Sequence, residues 1–388
     1  MTTTKISLRF VSPVLMSFFV MSFCDLVGIG VDRVKLDFSL TNTLAQLIPS
    51  AVFLWFLLLS VPVGILQDRI GKRKVLNLGM FITALGLFVP FIYYSFASSL
   101  VAFALLGIGN TIVQVSANPL LVSVVPEAKM SSFLSLSQFI KAIGSMIAPP
   151  LAGWIAAQYG DWKLIFVVFG VVSLLSILWL ALSPIKEEKS NQDRATIGSS
   201  FSLLKNKYIL MMVLGIFLVV GIDVGLNAFS GQFFLSRFNS ERMFAESARS
   251  VYFFGKMLGT FGGAILLTML PSRKFFFWSA FTGLLSVLLL LLVPSASLAM
   301  VVVFVIGLGL ANVFPLIYSL TVEQFPNRSN EISGLMIMAV SGGAVLPPLM
   351  GVVTDTLGNV SWGMMVLLLS AAYLLFISSF NQKQKTNN

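Results

Sequence analysis

The stretch 64–74 reads GILQDRIGKRK, an island of charge between two apolar runs at 43–67 and 75–95. Each flanking run is long enough to cross a bilayer as a helix. A short loop carrying Arg69, Lys72, Arg73 and Lys74 between two such helices is what the positive-inside rule predicts for a cytoplasmic turn. Cationic anchoring accounts for those four residues alone. It does not account for Gly64, Asp68 and Gly71.

The same alternation runs along the whole chain. Of its 388 residues, 57% are hydrophobic and only 10% charged, and the mean hydropathy is +0.94. Soluble domains are about 25% charged, so the composition is that of an integral membrane protein. Ten-residue alternating segments, the mark of a barrel, are absent, and the fold expected is all-α. Twelve apolar runs are marked at 7–31, 43–67, 75–95, 99–125, 131–157, 162–183, 208–234, 247–270, 275–293, 297–322, 330–355 and 360–380.

Of the 25 Lys and Arg residues, only Arg33, Lys35, Lys163, Arg237, Arg242 and Arg249 fall in the outer connections, and Lys141 and Lys256 fall within runs. The rest lie on the other side, which puts both termini in the cytoplasm of a bacterial-type inner membrane. The run from Leu8 to Gly30 is too long for a leader and no small-residue cleavage site follows it, so it is the first span.

Charge and motif content exclude several classes. The net charge of +10 is spread over alternating loops and not gathered in one domain, so no nucleic-acid partner is expected. One cysteine, Cys24, precludes an internal disulfide, and with no histidine any proton must be carried by carboxylates. No H-E-x-x-H, no G-x-S-x-G and no metal-ligand cluster are present, so neither an enzyme nor a metal or cofactor is expected.

The polar segment 184–207 divides six runs from six, giving an N-terminal bundle 1–183, a cytoplasmic linker and a C-terminal bundle 208–388. The halves echo each other. GIG at 107–109 recurs as GLG at 307–309, VVPEAKMS at 124–131 has a counterpart in EQFPNRSN at 323–330 (Pro126 with Pro326), and APPLAG at 148–153 recurs as LPPLMG at 346–351, at offsets of 200, 200 and 198 residues. A duplicated six-helix bundle with a site between the halves is a transporter architecture.

Within the fourth run, GIGNTIVQVSANPLL carries Asn110, Gln114 and Asn118 at i, i+4 and i+8, one face of a helix. Amides in lipid are costly without partners. They suit a ligand rich in hydroxyls, because an amide both donates and accepts. The plainer alternative is that they bond neighbouring helices. For Asn118, before Pro119, the alternative is repair of a backbone break.

GILQDRIGKRK resembles the G-x-x-x-D-R-x-G-R/K-R/K-R/K loop of the major facilitator superfamily. The resemblance implies that Gly64, Asp68, Arg69, Gly71 and Arg73 serve a cytoplasmic gate. The matching loop of the second half, LPSRKFF at 270–276, has no acid, so the latch is asymmetric. VQVSANPLL (113–121), SLSQFIKAIG (135–144), VGLNAFSGQFFLSRF (224–238), FGKMLGT (254–260) and ANVFPLIYSL (311–320) are similar to segments of the fucose–proton symporter family. The Q-V-x-A-N-P form is nearer its glucose/galactose branch. The family implies a sugar porter driven by protons or, in some members, sodium.

Departures from the family mark further candidates. Its helix 1 carboxylate would fall on Gly28, and Asp25 stands a turn earlier. Its helix 5 Asn is replaced by Lys141. Asp25 and Lys141 are expected to pair, with three readings open: proton coupling, sugar ligation, or structure. Asp223, with Lys256 as its cation, is the second coupling candidate, and a structural bridge is its alternative. Gln138, Asn227 and Asn312 complete the substrate candidates with Asn110, Gln114 and Lys141. The Gly and Pro residues of 144–150 and 342–348 are expected to break or thin their helices.

The sequence thus reads as a monomeric secondary transporter in the lipid bilayer, importing a neutral hexose or small glycoside with protons. A drug or metabolite antiporter on the same fold and an uncoupled sugar uniporter are the alternatives.

Overall fold

The computed structural model describes residues 8–27, 30, 33–34, 37–40, 47–185 and 196–383. Gly28 and the middle of the linker, 186–195, lie outside them. Every regular element among the described residues is helical. The helices are α1 (Leu8–Met21), continued by a 3-10 turn Ser22–Leu26, α2 (Leu47–Ile70), α3 (Lys72–Ile92), α4 (Phe96–Val124), α5 (Met130–Tyr159) and α6 (Leu164–Leu182). After the short linker helix α7 (Ile197–Ser202) come α8 (Lys207–Phe238), α9 (Arg242–Leu266), α10 (Ser272–Leu292), α11 (Ala296–Leu310), α12 (Val313–Gln324), α13 (Ser329–Met338), α14 (Gly342–Leu357) and α15 (Val360–Lys383).

The ends are chemically marked. Ser95 opens α4 and Thr196 opens α7 with reciprocal capping boxes, and the Asn206 side chain accepts from the Tyr208 and Ile209 amides at the start of α8. Eleven helical segments among the described residues are long and apolar enough to cross a membrane. The protein is therefore a multi-pass membrane protein. α9 occupies the place of the eighth apolar run but falls outside that class, because Arg242, Glu246, Arg249 and Lys256 interrupt its apolar character.

The chain forms two compact units. The first comprises 1–130, 140–203 and 325–338; the second comprises 131–139, 204–324 and 339–388. The sequence repeat reappears as packing inside each. In the first unit, a Cβ on Gly107 would lie 2.5 Å from the Val52 carbonyl of α2, and one on Gly109 2.6 Å from the Thr83 nitrogen of α3. In the second, the counterpart Gly307 would meet the Tyr252 carbonyl of α9 at 2.2 Å, and Gly309 would meet Thr282 of α10 at 2.9 Å. Side-chain-free positions let helix backbones touch where no hydrophobic force between helices operates.

The helix breaks differ in part from expectation. The second-half run 297–322 breaks between α11 and α12, and 330–355 breaks at a 3-10 turn, Ala339–Ser341. α5 instead continues unbroken from Met130 to Tyr159 through Pro149 and Pro150, as membrane helices allow when neighbours re-satisfy the freed backbone groups. α4 also continues through Pro119. Proline lacks the N–H that would bond the carbonyl four residues back. That carbonyl, Val115 O, accepts instead from the Ser333 hydroxyl of α13 at 2.7 Å.

Candidate functional site

The first unit carries a polar seam along α1, α4 and α5. Asn110 is buried, and its Nδ2 donates to Met21 O at 2.6 Å, where α1 passes into its 3-10 turn. Gln114 Nε2 donates to Asn110 Oδ1 at 2.7 Å, and Asn118 Nδ2 donates to Gln114 O at 3.0 Å. The three amides thus form a relay. Asn110 has both ends engaged and Asn118 is wholly buried. Gln114, 8% exposed, keeps its Oε1 without a hydrogen bond among the described residues.

Asp25 lies on the 3-10 turn and is exposed. Its Oδ2 accepts from the Ser145 hydroxyl of α5. The expected Asp25–Lys141 ion pair is not formed. Lys141 is half-buried, and its ammonium makes no ion pair or hydrogen bond among the described residues. The reason is local. A Cβ on Gly144 would fall 2.0 Å from Ser22 Oγ, so α5 closes on the turn there, and the residue brought to Asp25 is Ser145. Ser145, one turn after Lys141, has no charge to betray it in the sequence.

In the second unit, Asp223 of α8 meets two donors from α9. Lys256 Nζ holds one carboxylate oxygen as an ion pair and the Tyr252 hydroxyl holds the other. Tyr252 is one turn before Lys256, a position the sequence reading did not single out. Asn227 lies a turn beyond Asp223, half-buried. Asn312, at the α11–α12 break, is buried and donates from Nδ2 to Gly259 O at 2.7 Å. Gln138 lies half-buried on the stretch of α5 that belongs to this unit.

At the linker end of the first unit, the start of α13 is docked on α2. Asn330 Nδ2 donates to Asp68 Oδ1, and Gln67 Nε2 reaches Asn330 O at 3.5 Å. Gly64 is where the two helices touch, for a Cβ there would sit 2.9 Å from Asn330 O. Gly71, at φ +95°, makes the turn into α3 with a backbone that L side chains rarely adopt. Arg73 donates to Ala181 O on α6, and Arg69 is exposed. Glu331, 5% exposed, is gripped by Arg328 and accepts from Ser199 of α7 at 2.7 Å. At the corresponding place in the second unit, Ser131 pairs with the Ser272 and Ser319 hydroxyls, each at 2.8 Å, in place of a carboxylate.

Away from the linker end, Asp37 Oδ2 accepts from Tyr94 OH at 2.6 Å and from Trp162 Nε1 at 3.1 Å. Lys163 lies 4.7 Å above the Tyr94 ring. Burial, and then the bond to Asp37, hold the Tyr94 phenol above its ordinary pKa.

A multi-pass helical protein with repeat-related packing and intramembrane carboxylates on the first helix of each half has the build of a secondary transporter. The chain belongs to the Major Facilitator Superfamily, whose sequence profile matches residues 14–348. It is 25% identical to the glucose/galactose transporter of Brucella abortus over 94% of this chain and 92% of that one. It is 26% identical to a putative glucose/galactose transporter of Helicobacter pylori, covering 96% of each. It is 22% identical to the L-fucose-proton symporter of Escherichia coli, over 90% of this chain and 87% of the other. The fold matches the crystal structure of the superfamily transporter FucP in the outward conformation, with a TM-score of 0.83 and 19% identity over 95% of this chain and 98% of that one.

Proposed function

We propose that the chain imports a neutral sugar, a hexose or small glycoside, by alternating access coupled to protons. The observation that carries this reading is the end-to-end likeness to glucose/galactose transporters. The seam beside it is polar without being strongly charged, as a hydroxyl-rich ligand requires. Gln114 and Lys141, which retain unused polar atoms, are assigned to the sugar in the first unit and Asn227 and Gln138 in the second. Asn110 and Asn312 hold the neighbouring backbone in register for them.

Asp25 is assigned the coupling proton, in preference to sodium. It is exposed and meets only a hydroxyl, so it can gain a proton without breaking an ion pair. Asp223 is the second candidate, and its two engaged oxygens favour a fixed anchor. Gly64, Asp68, Arg69, Gly71 and Arg73 belong to a cytoplasmic gate, docked here through Asn330. α9 supplies the twelfth span. The bundles are 1–183 and 208–388, both termini are cytoplasmic in a bacterial inner membrane, and the monomer is the working unit.

Uptake of a labelled neutral-sugar panel in transporter-deficient cells, with and without a protonophore, tests the reading. Accumulation of one sugar that collapses with the protonophore is expected. Saturable uptake that only equilibrates would make the protein a uniporter. Absence of uptake across the panel would remove the sugar reading.

A further inference from the structure

We infer that Ser145 exchanges hydrogen bonds with Asp25 as that carboxylate gains and loses a proton, and so passes its protonation state to the backbone of α5. The inference rests on the coupling role proposed for Asp25.

The Ser145 Oγ has two acceptors within reach: Asp25 Oδ2, and the Lys141 carbonyl one turn back at 3.1 Å. A hydroxyl has one hydrogen and two lone pairs. With Asp25 ionised, only the serine hydrogen can bridge the two side chains, so Ser145 donates to Asp25 and leaves Lys141 O. When Asp25 takes a proton, its own O–H donates to Ser145 Oγ. The serine hydrogen then turns to Lys141 O. One proton enters and is bound by Asp25, one hydrogen bond reverses, one forms, and no other covalent bond changes.

The second state has a mechanical consequence. A serine that bonds the carbonyl four residues back bends its helix. The bend would fall beside Gly144, where α5 meets Ser22 most closely. Residues 131–139 of α5 belong to the second unit and those from Ile140 to the first, so the Lys141 carbonyl stands next to the point where the helix changes unit. Asp25 and Lys141 of α5 both act electrostatically on Cys24, the neighbour of Asp25 on its own turn. α4 and α6 carry no titratable side chain. Asp223 lacks such an exchange: Lys256 offers no acceptor, and the Tyr252 hydroxyl has no second acceptor among the described residues.

Infrared pH-difference spectroscopy of the purified full-length protein in lipid reads this without a substrate. The carboxyl C=O band that vanishes in Asp25→Asn reports Asp25. In Ser145→Ala its frequency is expected to change, because the Asp25 O–H loses the hydroxyl to which it donates. Ser145→Thr, which keeps the hydroxyl, is expected to restore it. Should Ser145→Ala not fold, Ser145→Cys, a weaker hydrogen-bonding partner, is expected to shift the band in the same sense by less. A band lost in Asp25→Asn but unmoved in Ser145→Ala or Ser145→Cys overturns the role of Ser145 alone. A spectrum unaffected by Asp25→Asn overturns the coupling role of Asp25, and this inference with it.

Discussion

Ser333 of α13 gives Val115 of α4 the hydrogen bond that Pro119 withholds. The donor comes from 218 residues along the chain, so the carbonyl is satisfied only while α13 stays docked. Removing one partner of a buried hydrogen bond costs about 1–3 kcal/mol, a roughly 5–150-fold change in a two-state equilibrium. Ser333→Ala is therefore expected to favour the undocked state. Met336, fully buried on α13, reports it: in a Cys24→Ala background, Met336→Cys is expected to react with a maleimide several-fold faster once Ser333 is lost. Pro119→Ala restores the missing N–H and is expected to cancel much of that gain. Equal rates in all three proteins would show that the bond does not hold the docked state.

Gly64 gives the steric counterpart. The Cβ of Gly64→Ala would meet the Asn330 carbonyl at 2.9 Å and the Gly334 Cα at 3.3 Å, both backbone atoms that cannot rotate away. α13 must move off α2, so the same cysteine is expected to label faster and net sugar uptake to fall. Asp68→Ala, which removes the acceptor of the Asn330 amide, is expected to act in the same direction. Unchanged labelling in Gly64→Ala would mean the contact yields without undocking.

Tyr94 predicts an alkaline limit to stability. Its phenol is held above the ordinary value of about 10 by burial and by Asp37. A group whose folded pKa is raised stabilises fully below the unfolded pKa and loses that contribution as pH rises towards the folded one. The apparent Tm of the purified protein is therefore expected to hold to about pH 10 on this account and to decline above it. Tyr94→Phe is expected to be less stable at neutral pH, by about 1 kcal/mol, with a shallower alkaline decline. Parallel pH profiles for the two proteins would refute the linkage.

Much of the fold was legible because it is written in charge. The island at 64–74 and the long apolar runs give the spans, and the paired GIG and GLG motifs give the repeat that reappears as Gly107 and Gly307 packing on equivalent helices. The candidate site was legible only where it carries charge or amides. Asp25, Lys141, Asp223, Lys256 and Gln114 stand out in an apolar sequence. Ser145 and Ser333 do not, because serine is common in membrane helices and their partners are a carboxylate and a carbonyl distant in sequence. The Asp25–Lys141 pair was expected from charge alone. The close approach at Gly144 decided otherwise, and close approach is a property of two backbones that one sequence window does not contain.

The Asp223 cluster separates anchoring from coupling. Lys256 and Asp223 are 26% and 20% exposed, so solvent weakens their pairing below that of a fully buried bridge. Asp223→Asn and Lys256→Met each leave one charge without its partner and are expected to destabilise the protein by about 1–3 kcal/mol. The double variant removes both charges, so its loss is expected to be smaller than the sum of the two. Tyr252 is 1% exposed, and Tyr252→Phe, which frees one carboxylate oxygen of Asp223, is expected to fall within the same range. If Asp223 anchors α9 to α8, the folded double variant still accumulates sugar in a protonophore-sensitive way. If that variant binds and exchanges sugar but no longer accumulates it, the coupling proton resides on Asp223 and the assignment to Asp25 fails.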